Sequence, residues 1–316
     1  MKLLNNFHVN MKSRIIKFLQ KKNFHEYALL GDHLLESFSL INRKEILTSF
    51  SINSKESGIS NTRYCNDEII ISLTTYGNRL YEVYLSIESI MQQTVKPNRI
   101  ILWLSDDLKS IALPVLLQNQ IKRGLEIKFC KDIKSYKKLI PALIEFPSSS
   151  IITVDDDELY HCDLIENFIK EHMPNPKLIL CSRMHLIKLN KNKKPDKYSK
   201  WYQVNLSPDI SPLNFPTGCG GILYPPNCFN NEVFNENVFM DICPYADDIW
   251  FKAMSLLNNV SSKKIYTHNK KSKEYLSNDQ DSNLYDINVG KKMNDIQLKK
   301  VFDKYNLYEK LITNYE

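Results

Sequence analysis

Four consecutive acidic residues, Asp155-Asp156-Asp157-Glu158, stand directly after the apolar, β-branched run Ser150-Ile-Ile-Thr-Val154. Neighbouring carboxylates repel one another and are poorly solvated at the edge of a core, so folding alone gives no reason to collect them there. Something positive should neutralise them. Side chains alternate along an extended chain, so Asp155 and Asp157 are expected on one side and Asp156 on the other. Two carboxylates so placed suit a hard divalent cation, Mg2+ or Mn2+, which takes oxygen ligands and shares its coordination with substrate phosphates. The competing reading is a solvated acidic loop after a strand.

The elements that must hold these residues follow from hydrophobic patterning. Glu68–Thr74, Arg99–Leu104, Leu125–Phe129 and Ser150–Val154 are short apolar runs of the kind parallel strands show when both faces are covered. Helical spacing occupies Arg79–Gln93, Ile111–Lys122 and Tyr136–Glu145 between them. The alternation predicts an α/β fold, a mostly parallel open sheet flanked by helices, with ligands beyond the carboxyl ends of the strands. Before it, residues 1–66 read as an N-terminal extension, helical from Met11 to Phe50 and then a polar loop. After it come a helix at Leu164–His172, one strand at Leu178–Leu186, a lysine-rich loop at Asn190–Lys200 and a Pro- and Gly-rich stretch, Ser207–Pro226. A helix at Asp247–Leu257, a strand at Lys264–Thr267 and a C-terminal helix at Asn294–Tyr315 complete the chain. The expected division is 1–66, a nucleotide-binding half at 67–160, an acceptor half at 161–290, and 291–316.

An apolar strand ending in Asp-x-Asp, fourth in a βαβα unit whose first strand opens into Thr74-Thr75-Tyr76, resembles the nucleotide-sugar glycosyltransferases of the GT-A fold. The resemblance spans about residues 67–270 and rests on the order of short motifs. It implies a nucleoside-diphosphate sugar as donor and a glycan or lipid-linked acceptor, in bacterial surface-polysaccharide synthesis. Thr74, Thr75, Tyr76 and Arg79 would lie beside base, ribose and phosphate, Tyr76 by stacking and Arg79 by charge; the plain alternative is a turn capped by Asn78. Lys138, in preference to Lys137, would stand near the nucleotide, with Asp155 and Asp156 on the donor and Asp155 and Asp157 on the metal. Gly220 and Gly221, in Thr217-Gly-Cys-Gly-Gly221, would let backbone approach the donor sugar. The pair Asp247-Asp248 resembles the acidic motif that supplies the base in inverting members, where a carboxylate takes the proton of the attacking hydroxyl. Its plain alternative is Asp247 as N-cap and Asp248 as a first-turn residue favoured by the helix dipole. Trp250 and Phe251 read as sugar wall or as core. By order, His268 is the candidate third metal ligand, and mixed carboxylate and imidazole ligation favours Mn2+ over Mg2+. Rival readings are a sugar-nucleotide nucleotidyltransferase and a non-catalytic glycan-binding protein. The first is weakened because Leu73–Arg79 holds one glycine and not a glycine-rich phosphate loop.

Bulk properties exclude other classes. The chain has 316 residues, 43% hydrophobic and 25% charged, enough for a sizeable core. Its net charge of +6 arises from 42 basic residues spread along the chain, too diffuse for a nucleic-acid footprint and suited to anionic substrates. Seven cysteines, without CxxC or zinc spacing, read as reduced thiols. No apolar run approaches the ~20 residues of a membrane span and no signal-peptide core stands at the start, so the expected location is cytoplasmic. Met11–Lys22 alternates basic and apolar residues. It reads either as a helix lying on the inner face of a membrane or as one packed on its own domain.

Overall fold

The computed structural model describes residues 35–204, 209–267 and 293–312. The chain divides into two compact units, Met1–Leu47 and Thr48–Glu316. Residues 35–53 are helical (α1). In the larger unit, strands β1 (Ile69–Thr74), β2 (Arg99–Ser105), β3 (Leu125–Cys130) and β4 (Ser150–Thr153) alternate with helices α2 (Val83–Met91), α3 (Val115–Ile121) and α4 (Ile140–Glu145). Then follow α5 (Leu164–His172), β5 (Ile179–Cys181), β6 (Met184–Leu186), β7 (Tyr202–Gln203), β8 (Asn214–Pro216) and β9 (Ile222–Tyr224). The last elements are α6 (Glu236–Ile242), α7 (Asp247–Leu257), β10 (Ser262–Lys264) and α8 (Met293–Tyr305).

A seven-stranded sheet runs in the order β10-β5-β9-β4-β1-β2-β3, and β6, β7 and β8 form a small second sheet. The pairs β1·β2, β1·β4, β2·β3 and β5·β10 are parallel. Strand β9 is antiparallel to both neighbours, β4 and β5. The architecture is therefore the mostly parallel, helix-flanked α/β sheet that the patterning predicts. Both faces of β1 are buried because successive side chains point opposite ways. Ile69, Ile71 and Leu73 pack with Val83, Ile87, Leu117 and Phe168, while Ile70 packs with Ala142, Trp250 and Phe302 on the other side.

Several boundaries differ from expectation. The stretch Leu178–Leu186 is two strands in two sheets, because β5 joins β10 and β9 whereas β6 pairs with β7 and β8. Before α2 the chain makes a separate 3-10 turn at Gly77–Tyr81, begun at Gly77 with φ 54°. Its N-cap is Tyr76 without a side-chain bond, so Asn78 is not a cap. The loop expected from Ser51 begins three residues later, since α1 continues to residue 53. The late strand lies at Ser262–Lys264, before the expected Lys264–Thr267. Trp250 and Phe251 are core residues, each at most 2% exposed. Among the described residues, no helix is long and apolar enough to cross a membrane; Met11–Lys22 lies outside them.

Candidate functional site

Four chain segments meet beyond the carboxyl ends of β1 and β4. Strand β1 delivers Thr75 and the turn bearing Arg79. Strand β4 delivers Asp155, Asp156 and Asp157. The 3-10 turn Lys134–Lys138 before α4 supplies Lys138, and the N-terminus of α7 supplies Asp247 and Asp248.

The acidic run splits in two directions. Asp156 accepts bonds from Thr75 Oγ1 at 2.6 Å and Arg79 at 2.9 Å, and its carbonyl accepts from Ser86 Oγ at 2.9 Å. Arg79 also reaches Asp157, at 3.0 Å. Asp155 turns the other way, to Lys138 Nζ at 3.0 Å. The expected alternation, Asp155 with Asp157 and Asp156 opposite, does not hold. Residues 156–157 form a turn, and a turn does not keep the two-residue period of a strand. Asp156 and Asp157 share one guanidinium instead.

Lys138 joins the two acidic motifs. Its amine lies 3.0 Å from Asp155 and 3.4 Å from Asp247. Burial opposes its charge, but Asp155, Asp247 and Asp248 outweigh that and hold it well above the ordinary lysine range. Its position is fixed from behind, because Ser72 Oγ donates to the Lys138 carbonyl at 2.6 Å and accepts from Trp103 Nε1 at 3.0 Å.

Asp247 does not cap its helix. Ala246 occupies the N-cap with no side-chain bond, and Asp247 and Asp248 are the first helical residues, where a carboxylate complements the dipole. Asp247 reaches Lys138 as an ion pair, while its Oδ2 makes no hydrogen bond among the described residues. Asp248 accepts the Gly218 N–H at 3.0 Å, and burial followed by the neighbouring Asp247 pushes it up to about 7. Burial, then Asp155 and Asp156, pushes Asp157 up to about 6. Burial also raises Asp156, against the pull of Arg79.

The remaining sequence candidates are placed less centrally. Thr74 Oγ1 donates to the Trp103 carbonyl within the sheet, at 2.8 Å. Tyr76 is 43% exposed, with the Arg79 guanidinium 5.3 Å from its ring centre. Gly220 and Gly221 have positive φ, 84° and 98°, and form the turn into β9; the Gly220 N–H donates to Glu158 at 2.7 Å. Gly218 is the glycine that faces the carboxylates: a Cβ there would lie 2.8 Å from Lys138 Nζ and 3.2 Å from Asp248 Oδ1. His268 lies outside the described residues. Sequence reasoning missed Gly218, Ser72 and Tyr160, whose hydroxyl accepts the Asp155 N–H at 2.7 Å. Gly218 stood in the glycine cluster already noted, whereas Ser72 and Tyr160 carry no pattern that marks them.

No family profile matches the chain, and no curated protein matches it. Solved structures do. The crystal structure of S. aureus TarS 1–349 overlaps at TM-score 0.41 and 16% identity, covering 64% of this chain and 58% of that one. The same protein in complex with UDP overlaps at TM-score 0.42 and 14% identity, with the same coverage. The inositol-1-phosphate CTP transferase from T. maritima overlaps at TM-score 0.38 and 10% identity, over 63% of this chain and 85% of that one. This chain thus spans under two thirds of the length of the TarS chains it matches.

Among the described residues no three His, Cys, Asp or Glu side chains converge as a metal cage. The donor chemistry nevertheless fits a cation held jointly with phosphate. Four aspartates, Asp155, Asp156, Asp157 and Asp247, pair with two side-chain cations, Arg79 and Lys138, and an Mg2+ site ordinarily draws one or two carboxylates from protein and the rest from substrate and water.

Proposed function

We propose that this protein is a glycosyltransferase that moves a sugar from a nucleoside-diphosphate donor to an acceptor hydroxyl on a glycan or lipid-linked saccharide, with Asp248 as base. The observation that supports it is the junction at Lys138, which sets the acidic end of β4 beside the acidic start of α7. A base works best when its pKa lies near working pH, and Asp248 is raised to about 7 whereas the neighbouring Asp247 is tied to a cation. Arg79, Thr75 and exposed Tyr76 would contact the diphosphate, ribose and base. Asp157 would hold Mg2+ or Mn2+ together with the diphosphate; Asp155, which here faces Lys138, would join it by turning toward Asp157, and His268 would add a ligand if Mn2+ is used. When bound, the cation offsets the charge that develops on the departing diphosphate. The chain's own contribution is orientation. Lys138 fixes Asp155, the Gly218 N–H fixes Asp248, and the carboxylate takes the proton of the attacking hydroxyl as the acceptor oxygen bonds to the anomeric carbon. Attack from the side opposite the leaving group makes the reaction inverting.

The test is release of nucleoside diphosphate from a panel of UDP-, GDP-, CDP- and dTDP-sugars, with and without Mn2+ and a saccharide acceptor. Asp248→Asn should lower turnover by about 100-fold or more and leave donor affinity nearly unchanged, because the amide still accepts from Gly218 but cannot take a proton. Normal turnover in Asp248→Asn would remove the base. Release of pyrophosphate from a nucleoside triphosphate and a sugar phosphate would instead identify a nucleotidyltransferase.

A further inference from the structure

Helix α7 carries a third ionisable group, one turn beyond Asp248. Lys252 is 3% exposed, and its Nζ has no hydrogen-bond partner among the described residues. An unpaired ammonium is disfavoured in such a place, and burial pulls Lys252 down to about 7, so that the neutral amine is well populated near neutral pH. Asp248, Lys252, Ser255, Ser262 and Tyr224 line one narrow pocket. The Ser262 hydroxyl in it is also buried without a partner, whereas Ser255 Oγ donates to the Lys252 carbonyl. Residues four apart on a helix share a face. The space enclosed suits about one water, which needs two to four polar partners of the kind found here.

The titratable groups nearest the amine are Asp248 on α7 and Tyr224 on β9, which line the pocket with it, and Cys181 on β5; Lys264 on β10 acts on the same Cys181. Burial raises the Cys181 thiol and the Tyr224 hydroxyl, leaving both neutral, and burial lowers Lys264. Asp248 is the one carboxylate lining the pocket among the described residues.

We propose that Lys252 is the proton store behind Asp248, joined to it through one water held in this pocket. The inference rests on the reading of Asp248 as base. The acceptor oxygen bonds to the anomeric carbon, and the bond from that carbon to the diphosphate oxygen breaks, its electron pair leaving with the diphosphate. The hydroxyl proton passes to Asp248, then through the water to the neutral amine, which becomes an ammonium and loses the proton to solvent before the next turnover. Lys252 touches no substrate. It is a positioning residue that returns Asp248 to its ionised form.

Two measurements test this separately from the function itself. The first is stability against pH. Between about pH 7 and the ordinary lysine value of 10.5, the unfolded chain binds one proton more than the folded one, so folding gains up to tenfold in equilibrium constant per pH unit as pH rises. Urea midpoints of the full chain should rise relative to those of Lys252→Met between pH 7 and 10. A constant difference would show an amine that is paired or charged and would overturn the proposal. The second is turnover on the donor panel. Lys252→Met should lower kcat about tenfold or more with donor Kd unchanged. Lys252→Ala should recover rate on adding ethylamine, in proportion to its free-base form, and should not respond to propanol, which refills the space without a base. Wild-type turnover in Lys252→Met, beside an inactive Asp248→Asn, would sink the role of Lys252 and leave the base standing. Normal turnover in Asp248→Asn would sink both.

Discussion

Burial and neighbouring aspartates push Asp157 up to about 6 and Asp248 up to about 7, well above the usual carboxylate range. Between about pH 4 and 7 the folded protein therefore keeps protons that the unfolded chain has lost. The stability this brings is complete below pH 4 and disappears as pH rises through 6 to 7. Urea midpoints should accordingly fall across that range relative to those of Asp157→Asn, in which the group no longer titrates. Parallel pH curves for the two proteins would mean that Asp157 is ordinarily acidic. Mn2+ at millimolar concentration and pH 7.5 should raise the Tm of the wild type by about 3 °C, for each ~1 kcal/mol of coupling. Asp157→Ala should lose that rise, and an equal rise in both would move the cation elsewhere. The acidic run was legible as a candidate site because an apolar strand ends in it. Its partners were not, since Thr75 and Arg79 stand about eighty residues away and no spacing rule couples them to Asp156.

Strand β9 is the element that brings the two halves of the site together. Being antiparallel, it begins where β4 ends, so the turn Thr217–Gly221 arrives beside the aspartates. Gly218 sits in that turn, and a methyl group there would displace the Lys138 amine, the free end of a flexible side chain. Gly218→Ala should thus cost only about 1 kcal/mol in urea denaturation while lowering transfer tenfold or more. A stable variant with full activity would show that the Lys138 bridge is dispensable. The elements β1 to β4 and α7 were readable because unbroken apolar runs and helical spacing mark them. The short strands were not. Three residues such as Ile222–Tyr224 are too few to show a period, and β5 and β6 read as one strand because Ser182 and Arg183 alone separate them.

Within the larger unit, a buried polar network ties Ser51 to α2 and the end of α3. Glu88 is fully enclosed and receives two bonds from Arg123, at 2.8 and 2.9 Å, with further bonds from Ser51, Gln92 and Gln120. Burial would raise this carboxyl, but those bonds outweigh it and hold it below the usual range. Its contribution is full at neutral pH and is lost as pH falls through its depressed value, the opposite sense to Asp157 and Asp248. Arg123→Met should cost about 3–5 kcal/mol because it leaves a buried carboxylate without a counter-charge. Adding Glu88→Gln should recover a large part of that loss. A double variant as unstable as the sum of the two singles would show that the pair is not coupled.

The bond from Trp103 Nε1 through Ser72 Oγ to the Lys138 carbonyl has an optical consequence. The indole is 3% exposed and sits two hydrogen bonds from the lysine that bridges the aspartates, so any shift of that lysine changes the dipoles around the chromophore. Trp201 and Trp250 are the other two tryptophans. With both replaced by Phe, emission from Trp103 should change when the proposed nucleoside-diphosphate donor binds, giving a label-free signal readable in a stopped-flow cell; unchanged emission on binding would show that Lys138 does not shift.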